Sequence, residues 1–378
     1  MGYRISSRAA AAKRDMLRVA IVGCGRVADS HASQIRRIRE CEIVGACDQE
    51  ELMAQQFAER FGVSRYFTNV SAMLSAVRPE VIHITTPPQS HFEIARLCLE
   101  CGCHVYVEKP FTLNTTEAEE LVSLAQFRGL AVTVGHDQQF CHAARRMRDL
   151  VQRGYLGGSP VQIESTWCYD LGGQSYARAV LGDKEHWVRK LPGRLLHNLI
   201  SHGVAKIAEF LTTNAPNVLA VGGTSAFLRD LGEHDIVDEL RVLITEETGL
   251  TAYFTFSSQM RPALHQLCIY GPRNGLVLDE DHQTVIRLPG KRFKSYVEKF
   301  VPPMITATEC VGNSLHNMRL FLARDFHIDA GKKFLMEAFY GSIVNQATSV
   351  PIPYRQILLT SRIMDSIFEQ VAFRQPVL

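Results

Sequence analysis

The chain has 378 residues, of which 46% are hydrophobic and 21% charged, so it is long enough for two or three globular domains with sizeable cores. A formal net charge of +2 gives no electrostatic reason to expect binding to nucleic acid or to an anionic membrane surface. No apolar run approaches the roughly 18 residues that a membrane span needs. Residues 1–15 are basic and alanine-rich but have no hydrophobic stretch, so we expect a flexible tail and not a secretory signal.

The ten cysteines lie mostly within apolar segments, which favours buried thiols in a reducing, cytoplasmic environment over a disulfide framework. Cys98, Cys101 and Cys103 form a cluster that suggests zinc. Structural zinc needs four ligands, usually as two spaced pairs, and no second pair follows. We therefore predict no metal site.

A strand, a glycine-rich turn and a helix open the globular part of the chain. Residues 17–22 are apolar and run directly into the sequence Gly23-x-Gly25-x-x-Ala28, after which the spacing becomes helical. Gly23 would permit a tight turn, Gly25 would let the backbone approach a pyrophosphate, and Ala28 would allow the helix to pack closely on the strand. This context predicts a dinucleotide-binding turn.

Further cofactor contacts are expected from the start of that helix and from the next strand. Arg26 and Val27 begin the helix, whose N-terminal dipole favours phosphate groups. The second strand, at residues 42–47, ends at Asp48, which lies 23 residues after Gly25 and so near the offset of about 20 that is typical of a ribose-binding acid. A carboxylate at this position would repel a 2′-phosphate. We therefore predict NAD as the cofactor and consider NADP the weaker alternative.

Strands and helices continue to alternate up to about residue 134, which predicts a doubly wound parallel sheet. Two of the predicted strands, at residues 81–85 and 105–107, are followed directly by polar residues and prolines. In open α/β sheets this carboxyl edge is where ligands bind. The residues that follow the two strands and are predicted to line the cofactor site are Thr86, Pro87, His91, Glu108 and Lys109. From these residues alone, two roles are open for Lys109. It is either a cation held in place for binding or chemistry, or a partner in a structural salt bridge at the end of the strand.

The second half of the chain has a different pattern and predicts an α+β domain with an open, mainly antiparallel sheet. Short turns separate its predicted strands, which lie at residues 161–166, 240–245, 250–257, 265–270 and 283–288. Two helices are predicted near the end, at about 332–346 and 354–373, separated by Pro351-Ile-Pro353. We expect a Rossmann domain at 16–137 and the second domain at 138–378.

A single helix is predicted from about residue 193 to residue 211, with an apolar stripe at helical spacing. Asn198 and His202 are four residues apart and would be neighbours on a different face of this helix. The preceding segment is rich in aromatic and basic side chains, namely Trp187, Arg189, Lys190 and Arg194. A solvated basic loop is the preferred interpretation, and an anion clamp for a phosphorylated or nucleotide-linked sugar is the alternative. Tyr169 and Asp170 are weaker candidates for pocket residues.

Three motifs occur together in a distinctive order: the glycine-rich turn, Thr86-Pro87 followed by His91, and Glu108-Lys109-Pro110. In this combination the chain resembles the glucose–fructose oxidoreductase/inositol dehydrogenase (Gfo/Idh/MocA) family. The resemblance implies that Lys109 lines a substrate pocket opposite the nicotinamide, together with an Asp and a His four residues apart on a helix. It also implies an open sheet whose outer face is often used for oligomerisation, as a dimer or tetramer.

The matching helix keeps the family's histidine as His202 but has Asn198 in place of the aspartate. Oxidising an alcohol needs a base for the hydroxyl proton, and a well-placed base contributes about 10²–10⁴-fold. His202 is the predicted base, and Lys109 would stabilise the developing alkoxide or act as base itself if burial lowers its pKa. Asn198 would orient the substrate, since an amide can hydrogen-bond a hydroxyl but cannot take its proton. Without the carboxylate, His202 should be less basic than in its relatives.

These features predict a cytoplasmic, homo-oligomeric, NAD-dependent oxidoreductase that acts on a secondary hydroxyl of a sugar, an inositol or a sugar derivative. Two alternatives remain open. The first is an NAD-requiring glycosidase that oxidises its substrate transiently, with no net redox change. The second is a non-catalytic regulatory protein that binds NAD and a ligand, which the loss of the aspartate at Asn198 makes less remote.

Overall fold

The computed structural model describes residues 16–171, 182–291, 293–326 and 329–372. The tail predicted for residues 1–15 lies outside the described residues. The N-terminal part is a six-stranded parallel sheet of strand order β3-β2-β1-β4-β5-β6. The strands are β1 (Leu17–Val22), β2 (Cys41–Cys47), β3 (Tyr66–Phe67), β4 (Val81–Ile84), β5 (His104–Val107) and β6 (Val132–Val134). The predicted doubly wound sheet is confirmed.

Five helices connect these strands: α1 (Arg26–Ile35), α2 (Glu51–Phe61), α3 (Val70–Val77), α4 (His91–Glu100) and α5 (Thr115–Arg128). Asn69 and Asn114 precede α3 and α5, and each side chain accepts a hydrogen bond of 2.9 Å from a backbone N–H of the first turn. Ser90 precedes α4, but its side chain makes no capping hydrogen bond. Because Pro88–Ser90 forms a 3₁₀ turn that leads directly into α4, the Ser90 hydroxyl donates instead to Thr86 Oγ1 at 2.8 Å.

The second sheet has seven strands in the order β13-β12-β11-β7-β10-β9-β8. They are β7 (Gln162–Asp170), β8 (Asn217–Gly223), β9 (Glu239–Thr245), β10 (Thr251–Ser257), β11 (Gln259–Tyr270), β12 (Asn274–Asp279) and β13 (Thr284–Pro289). All neighbouring strands are antiparallel except β7 and β10, so the mainly antiparallel sheet is confirmed. β8 and β12 were not predicted, and they contain the turn-favouring residues Gly222, Gly223 and Asn274-Gly275.

The remaining helices of the described residues are α6 (His142–Gln152), α7 (Arg194–Leu199), α8 (Ser201–Ala208), α9 (Ala226–Asp230), α10 (Val297–Leu322), α11 (Ala330–Val344) and α12 (Tyr354–Ala372). The single helix predicted from residue 193 to residue 211 is interrupted at Ile200, which separates α7 from α8. None of the helices in the described ranges is long and apolar enough to cross a membrane.

Two hydrophobic cores support the two sheets, and the C-terminal helices connect them. α11 packs against the first core through Leu335, Met336 and Phe339, although it follows the second sheet in the chain. α12 contributes Ile357 to the first core and Ile363 to the second. The domain boundary expected between residues 137 and 138 stays a prediction. The packing of α11 means that a C-terminal segment contributes to the core of the parallel sheet.

Candidate active site

Glycine is present at the two positions of the N-terminal turn for different structural reasons. Gly23 has a φ of +91°, and a Cβ atom there would lie 2.7 Å from the backbone nitrogen of Thr86. Only glycine tolerates both conditions. Gly25 precedes α1 with an ordinary φ of −77°, and no atom lies within 4 Å of an ideal Cβ. The protein's own packing therefore explains Gly23, whereas Gly25 keeps open a space at the start of α1.

Asp48 lies beside this turn and organises it. Its Oδ2 accepts a hydrogen bond of 2.7 Å from the backbone N–H of Cys24, and its Oδ1 accepts one of 3.0 Å from Glu50. A carboxylate has further lone pairs, so Asp48 can still accept hydrogen bonds from ribose hydroxyls. Asp48 lines a cavity of about 650 Å³ that also brings together the predicted residues Gly23, Gly25, Thr86 and Pro87. Arg26 and Val27 are exposed at the start of α1 and do not line it.

His91 is fully buried, and its ring contacts the backbone of two segments at the carboxyl edge of the parallel sheet. Its Nε2 lies 2.9 Å from the carbonyl oxygen of Thr86, and its Nδ1 lies 2.9 Å from that of Pro110. Burial lowers the pKa of His91, and its contacts with these carbonyl groups partly oppose that effect. The ring therefore ties the turn after β4 to the segment after β5. His91 does not line the cavity, so its predicted contact with the cofactor is not supported.

Glu108 is directed into the interior and not towards the cavity. Its Oε1 lies 2.6 Å from His31 Nε2 and 3.5 Å from Lys332 Nζ, and its Oε2 accepts a hydrogen bond of 3.1 Å from the backbone N–H of Lys109. Burial alone would raise the pKa of Glu108, but Lys332 and His31 hold it well below the usual range. The predicted contact of Glu108 with the cofactor is therefore not supported. Its carboxylate instead holds the backbone of Lys109 in place through the hydrogen bond from the Lys109 N–H.

The contacts of Glu108 extend into a buried polar network between the parallel sheet and α11. His31 Nδ1 lies 2.8 Å from His83 Nδ1, and His83 Nε2 lies 2.6 Å from the hydroxyl of Tyr340. Burial lowers the pKa of both histidines. Both are therefore neutral at physiological pH, and a neutral imidazole can donate from one nitrogen and accept at the other.

Lys109, Asn198 and His202 come together where β5 meets the junction of α7 and α8. Lys109 Nζ donates a hydrogen bond of 2.8 Å to the backbone carbonyl of Asn198 and lies 3.5 Å from its Oδ1. The ring centroid of His202 lies 5.8 Å from that of His136 and 5.5 Å from that of Trp167. The three residues predicted to be catalytic thus share one region of the molecule.

Burial and neighbouring charges set the protonation of this group. Burial lowers the pKa of His202 well below its usual value, and the positive charge of Lys109 lowers it further. Burial also lowers the pKa of Lys109, against the attraction of the Glu108 and Asp137 carboxylates. His202 is therefore neutral near pH 7, and its Nδ1 has no hydrogen-bond partner within the described part of the chain. A neutral imidazole beside an ammonium can accept a proton, but it is a weak base.

A second cavity, of about 600 Å³, begins at Trp167, next to His202. Its walls include Tyr169 and His265, whose rings pack edge-on against each other at 4.8 Å. Lys206 forms a buried ion pair with Glu280, and its ammonium lies 4.2 Å from the centre of a Trp167 ring. Tyr169 therefore does line a pocket.

Asp170, the other weak candidate, instead forms an ion pair of 3.0 Å with Arg261 and does not line that cavity. The basic side chains at and before the start of α7 are also paired with groups of the protein itself. Arg189 forms two hydrogen bonds with the Glu233 carboxylate, Lys190 Nζ lies 3.0 Å from Glu185, and Arg194 donates to the carbonyl oxygen of Asp235. This pairing favours the interpretation as a surface loop over that as an anion clamp.

Several residues of the site were not identified from the sequence. His136 lies two residues after the end of β6, so its position at the carboxyl edge of the sheet was a usable signal. Trp167, Lys206 and Lys332 reach the site from strands and helices far along the chain, and no local pattern indicates that. Among the described residues, no group of three or more His, Cys, Asp or Glu side chains is placed to hold a metal ion.

Residues 17–136 match the family model GFO_IDH_MocA, which is described as "Oxidoreductase family, NAD-binding Rossmann fold". Over these residues the chain is similar to the Gfo/Idh/MocA family. The D-glucoside 3-dehydrogenase of Escherichia coli (strain K12) is 36% identical over 142 residues, which are 37% of this chain and 40% of that relative. The UDP-N-acetylglucosamine 3-dehydrogenase of Acidithiobacillus ferrooxidans is 32% identical over 149 residues, 39% of this chain and 44% of that relative. Both alignments span less than half of the relative.

The fold likeness extends over almost the whole chain. The WlbA dehydrogenase from Bordetella pertussis, solved in complex with NADH and UDP-GlcNAcA, superposes with a TM-score of 0.75 at 15% identity. The match covers 94% of this chain and 95% of that one. At this identity the likeness shows that the two-domain fold is shared.

The NAD-binding Rossmann fold of the Gfo/Idh/MocA family needs space for a pyrophosphate at the start of α1, and the described residues provide it. The position of a Cβ on Gly25 is empty, and no side chain caps the N-terminus of α1. The first backbone N–H groups and the helix dipole can therefore receive phosphate oxygens. Asp48 lines the same cavity, where it can meet the adenosine ribose.

Proposed function

We propose that the protein is an NAD-dependent oxidoreductase that transfers a hydride between nicotinamide and a secondary hydroxyl of a sugar or sugar derivative. The main support is the meeting of Lys109, from the edge of the parallel sheet, with Asn198 and His202, from the second domain. Such a junction between the dinucleotide turn and an aromatic cavity can hold a polar substrate.

Bound NAD would supply the hydride acceptor. In the oxidation, Lys109 Nζ would donate a hydrogen bond to the substrate oxygen and so stabilise the negative charge that develops there. His202, which is neutral at physiological pH, would accept the hydroxyl proton. Because the pKa of His202 is low, the imidazole would hold this proton only transiently and would pass it on to solvent water. Asn198 would hold the ammonium in place through its backbone carbonyl.

Two features support a substrate of the pyranoside class with oxidation at its 3-hydroxyl. The relatives at 36% and 32% identity are both named as 3-dehydrogenases, of a glucoside and of a nucleotide-linked amino sugar. The cavity beside His202 offers Trp167 and Tyr169 as aromatic surfaces for a sugar ring. We propose that the rest of the sugar extends into this cavity. The Asp48 carboxylate supports NAD over NADP.

We also propose a homo-oligomer in the cytoplasm. The outer face of the second sheet exposes large apolar side chains, with Leu219 at 50% and Tyr253 at 45% exposure, as a sheet covered by a second copy would. All ten cysteines are free, and eight of them are buried, which suits a reducing compartment.

The test is turnover by the purified protein with NAD and a panel of glucosides, inositols and nucleotide sugars. We expect absorbance from reduced cofactor to rise with at least one substrate, and Lys109→Met to abolish this rise while NAD binding, followed by calorimetry, is retained. Product formation without accumulation of NADH would instead indicate the NAD-requiring glycosidase. NAD and sugar binding without any product would indicate the regulatory protein, and either result would overturn the proposal.

A further inference from the structure

The helix α10 exposes many apolar side chains on the side that does not contact the rest of the described chain. It has 26 residues, all of them described, and Asn313 is the one buried residue among them. A helix of this length is about 39 Å long at 1.5 Å per residue. Most of a hydrophobic helix surface therefore faces away from the described part of the chain.

One side of α10 attaches it to the second sheet through polar contacts. The Glu309 carboxylate binds the backbone N–H and the guanidinium of Arg287, both at 2.7 Å. Asn313 exchanges hydrogen bonds with both backbone groups of Val285 and accepts one from Arg146. These contacts define the inner side of the helix.

The opposite side carries a continuous apolar stripe at steps of three or four residues, with Thr308 in its middle. The exposed fractions of its large side chains range from 47% to 78%. They are Val297 (47%), Phe300 (69%), Met304 (68%), Val311 (60%), Leu315 (60%), Met318 (59%) and Leu322 (78%). At about 100° per residue, these side chains fall within an arc of about 80° that is centred opposite the inner side. No charged residue of α10 falls within that arc.

The size of the stripe is that of a protein interface. Counting about 100 Å² for each of these half-exposed side chains gives an apolar surface on the order of 700 Å². The largest apolar patch of a typical monomer is roughly 300–600 Å², whereas a standard interface buries about 800 Å² on each partner. The described part of a single copy would leave most of the stripe exposed to water.

We propose that α10 pairs with the α10 helix of a second copy of this chain, so that the two stripes bury each other. Steps of three or four residues are the spacing at which one helix packs along another. The stripe is uncharged, so it is complementary to itself, and a two-fold interface needs such a surface. A helix that lies on a membrane would instead have a polar face rich in free cations. Here the polar face is bound to the second sheet.

The interface is independent of the proposed enzyme activity and is tested by the mass of the full chain in solution. Leu315→Glu places carboxylates in the centre of the paired stripes. Leu52→Glu is a matched control, because Leu52 is also helical and is 63% exposed, on α2. Sedimentation velocity should give a multiple of 42.4 kDa for the parent protein. We expect Leu315→Glu to raise the dissociation constant of this interface by roughly 100-fold, and Leu52→Glu to leave it unchanged.

Hydrogen exchange provides a second measurement that does not depend on a variant. Amides of α10 in the parent protein should become more protected as the concentration rises through the dissociation constant, whereas those of α2 should not. A monomeric parent protein, an unchanged mass for Leu315→Glu, or exchange in α10 that is independent of concentration would overturn the proposal. Flotation of a monomeric parent protein with neutral phosphatidylcholine vesicles would also overturn it and assign the stripe to a membrane surface.

Discussion

Lys109 Nζ donates a hydrogen bond of 2.8 Å to the backbone carbonyl of Asn198, and the Oδ1 atom of the same residue lies 3.5 Å from it. The amide at this position is uncharged, so nothing there offsets the effect of the ammonium on His202. The family that the sequence resembles is expected to carry an aspartate at this position, and this difference leads to the first prediction.

Asn198→Asp should restore a negative charge beside both Lys109 and His202. An opposite charge within about 4–6 Å favours the protonated forms, so the pKa values of both groups should rise. Because the base must be deprotonated for oxidation, the acid limb of the kcat/KM profile should move to higher pH by about one unit. Asn198→Ala, which adds no charge, is the control and should leave the limb in place. Superimposable profiles for Asn198→Asp and the parent protein would contradict the assigned pairing.

The two glycines of the turn should respond differently to alanine. Gly23→Ala introduces strain at a φ of +91° and a clash with Thr86, so the free energy of unfolding should fall by about 1–3 kcal/mol. Gly25→Ala should fold with unchanged stability, but its methyl group occupies the space expected for the pyrophosphate and should weaken NAD binding at least about tenfold. Urea denaturation and NAD titration separate the two effects. Parent-like NAD affinity in Gly25→Ala would place the pyrophosphate elsewhere.

Asp48→Asn should reduce the discrimination between NAD and NADP. The amide can still accept one backbone hydrogen bond at the turn, but it loses the charge that repels a 2′-phosphate and strengthens hydrogen bonds to the ribose. We expect NAD affinity to fall by about tenfold, because a hydrogen bond to a charged group is worth roughly 1.5–3 kcal/mol. NADP affinity should not fall. Asp29→Asn, on the nearby start of α1 but outside the cavity, is the control, and equal affinities of the parent protein for both cofactors would contradict the assignment.

Lys332 should be the main source of stability in the network around Glu108. Burial by itself lowers the pKa of Lys332, but the Glu108 and Asp137 carboxylates, at 3.5 Å and 3.8 Å, raise it above its usual value. Lys332→Met leaves both buried carboxylates without this ammonium and should cost about 3–5 kcal/mol in urea denaturation at pH 7. The control is Lys333→Met, because Lys333 pairs with Glu337 near the surface.

Loss of that surface pair should cost less than about 1 kcal/mol. The Lys332 cost should also shrink at low pH, as Glu108 and Asp137 become protonated. Burial raises the pKa of Asp137 to about 6, so Asp137 should respond first on acidification. Equal costs for the two lysine variants at pH 7 would mean that the buried carboxylates have another counter-charge.

Local patterns predicted much of the fold. The alternation of strands and helices in residues 17–134 indicated the parallel sheet, because each strand and helix has a hydrophobic period that depends only on nearby residues. In β10 the alternating residues Ala252, Phe254 and Phe256 are all buried, as period-two spacing of apolar residues implies. The strands β8 and β12 were missed because glycine and asparagine weaken their pattern, and they form because neighbouring strands pair with them. The break at Ile200 was missed because the apolar stripe continues through it.

The sequence by itself determined the dinucleotide turn, the position of Lys109 at the end of a strand and the resemblance to a known family, because these depend on residue types at short, fixed spacings. Only the tertiary structure decided what surrounds them. It turned Glu108 inward to His31 and Lys332, set the Lys109 ammonium against Asn198, and left one face of α10 uncovered. Such contacts join segments that are far apart in the chain, and their geometry follows from how the two sheets and the C-terminal helices pack, which no local periodicity encodes.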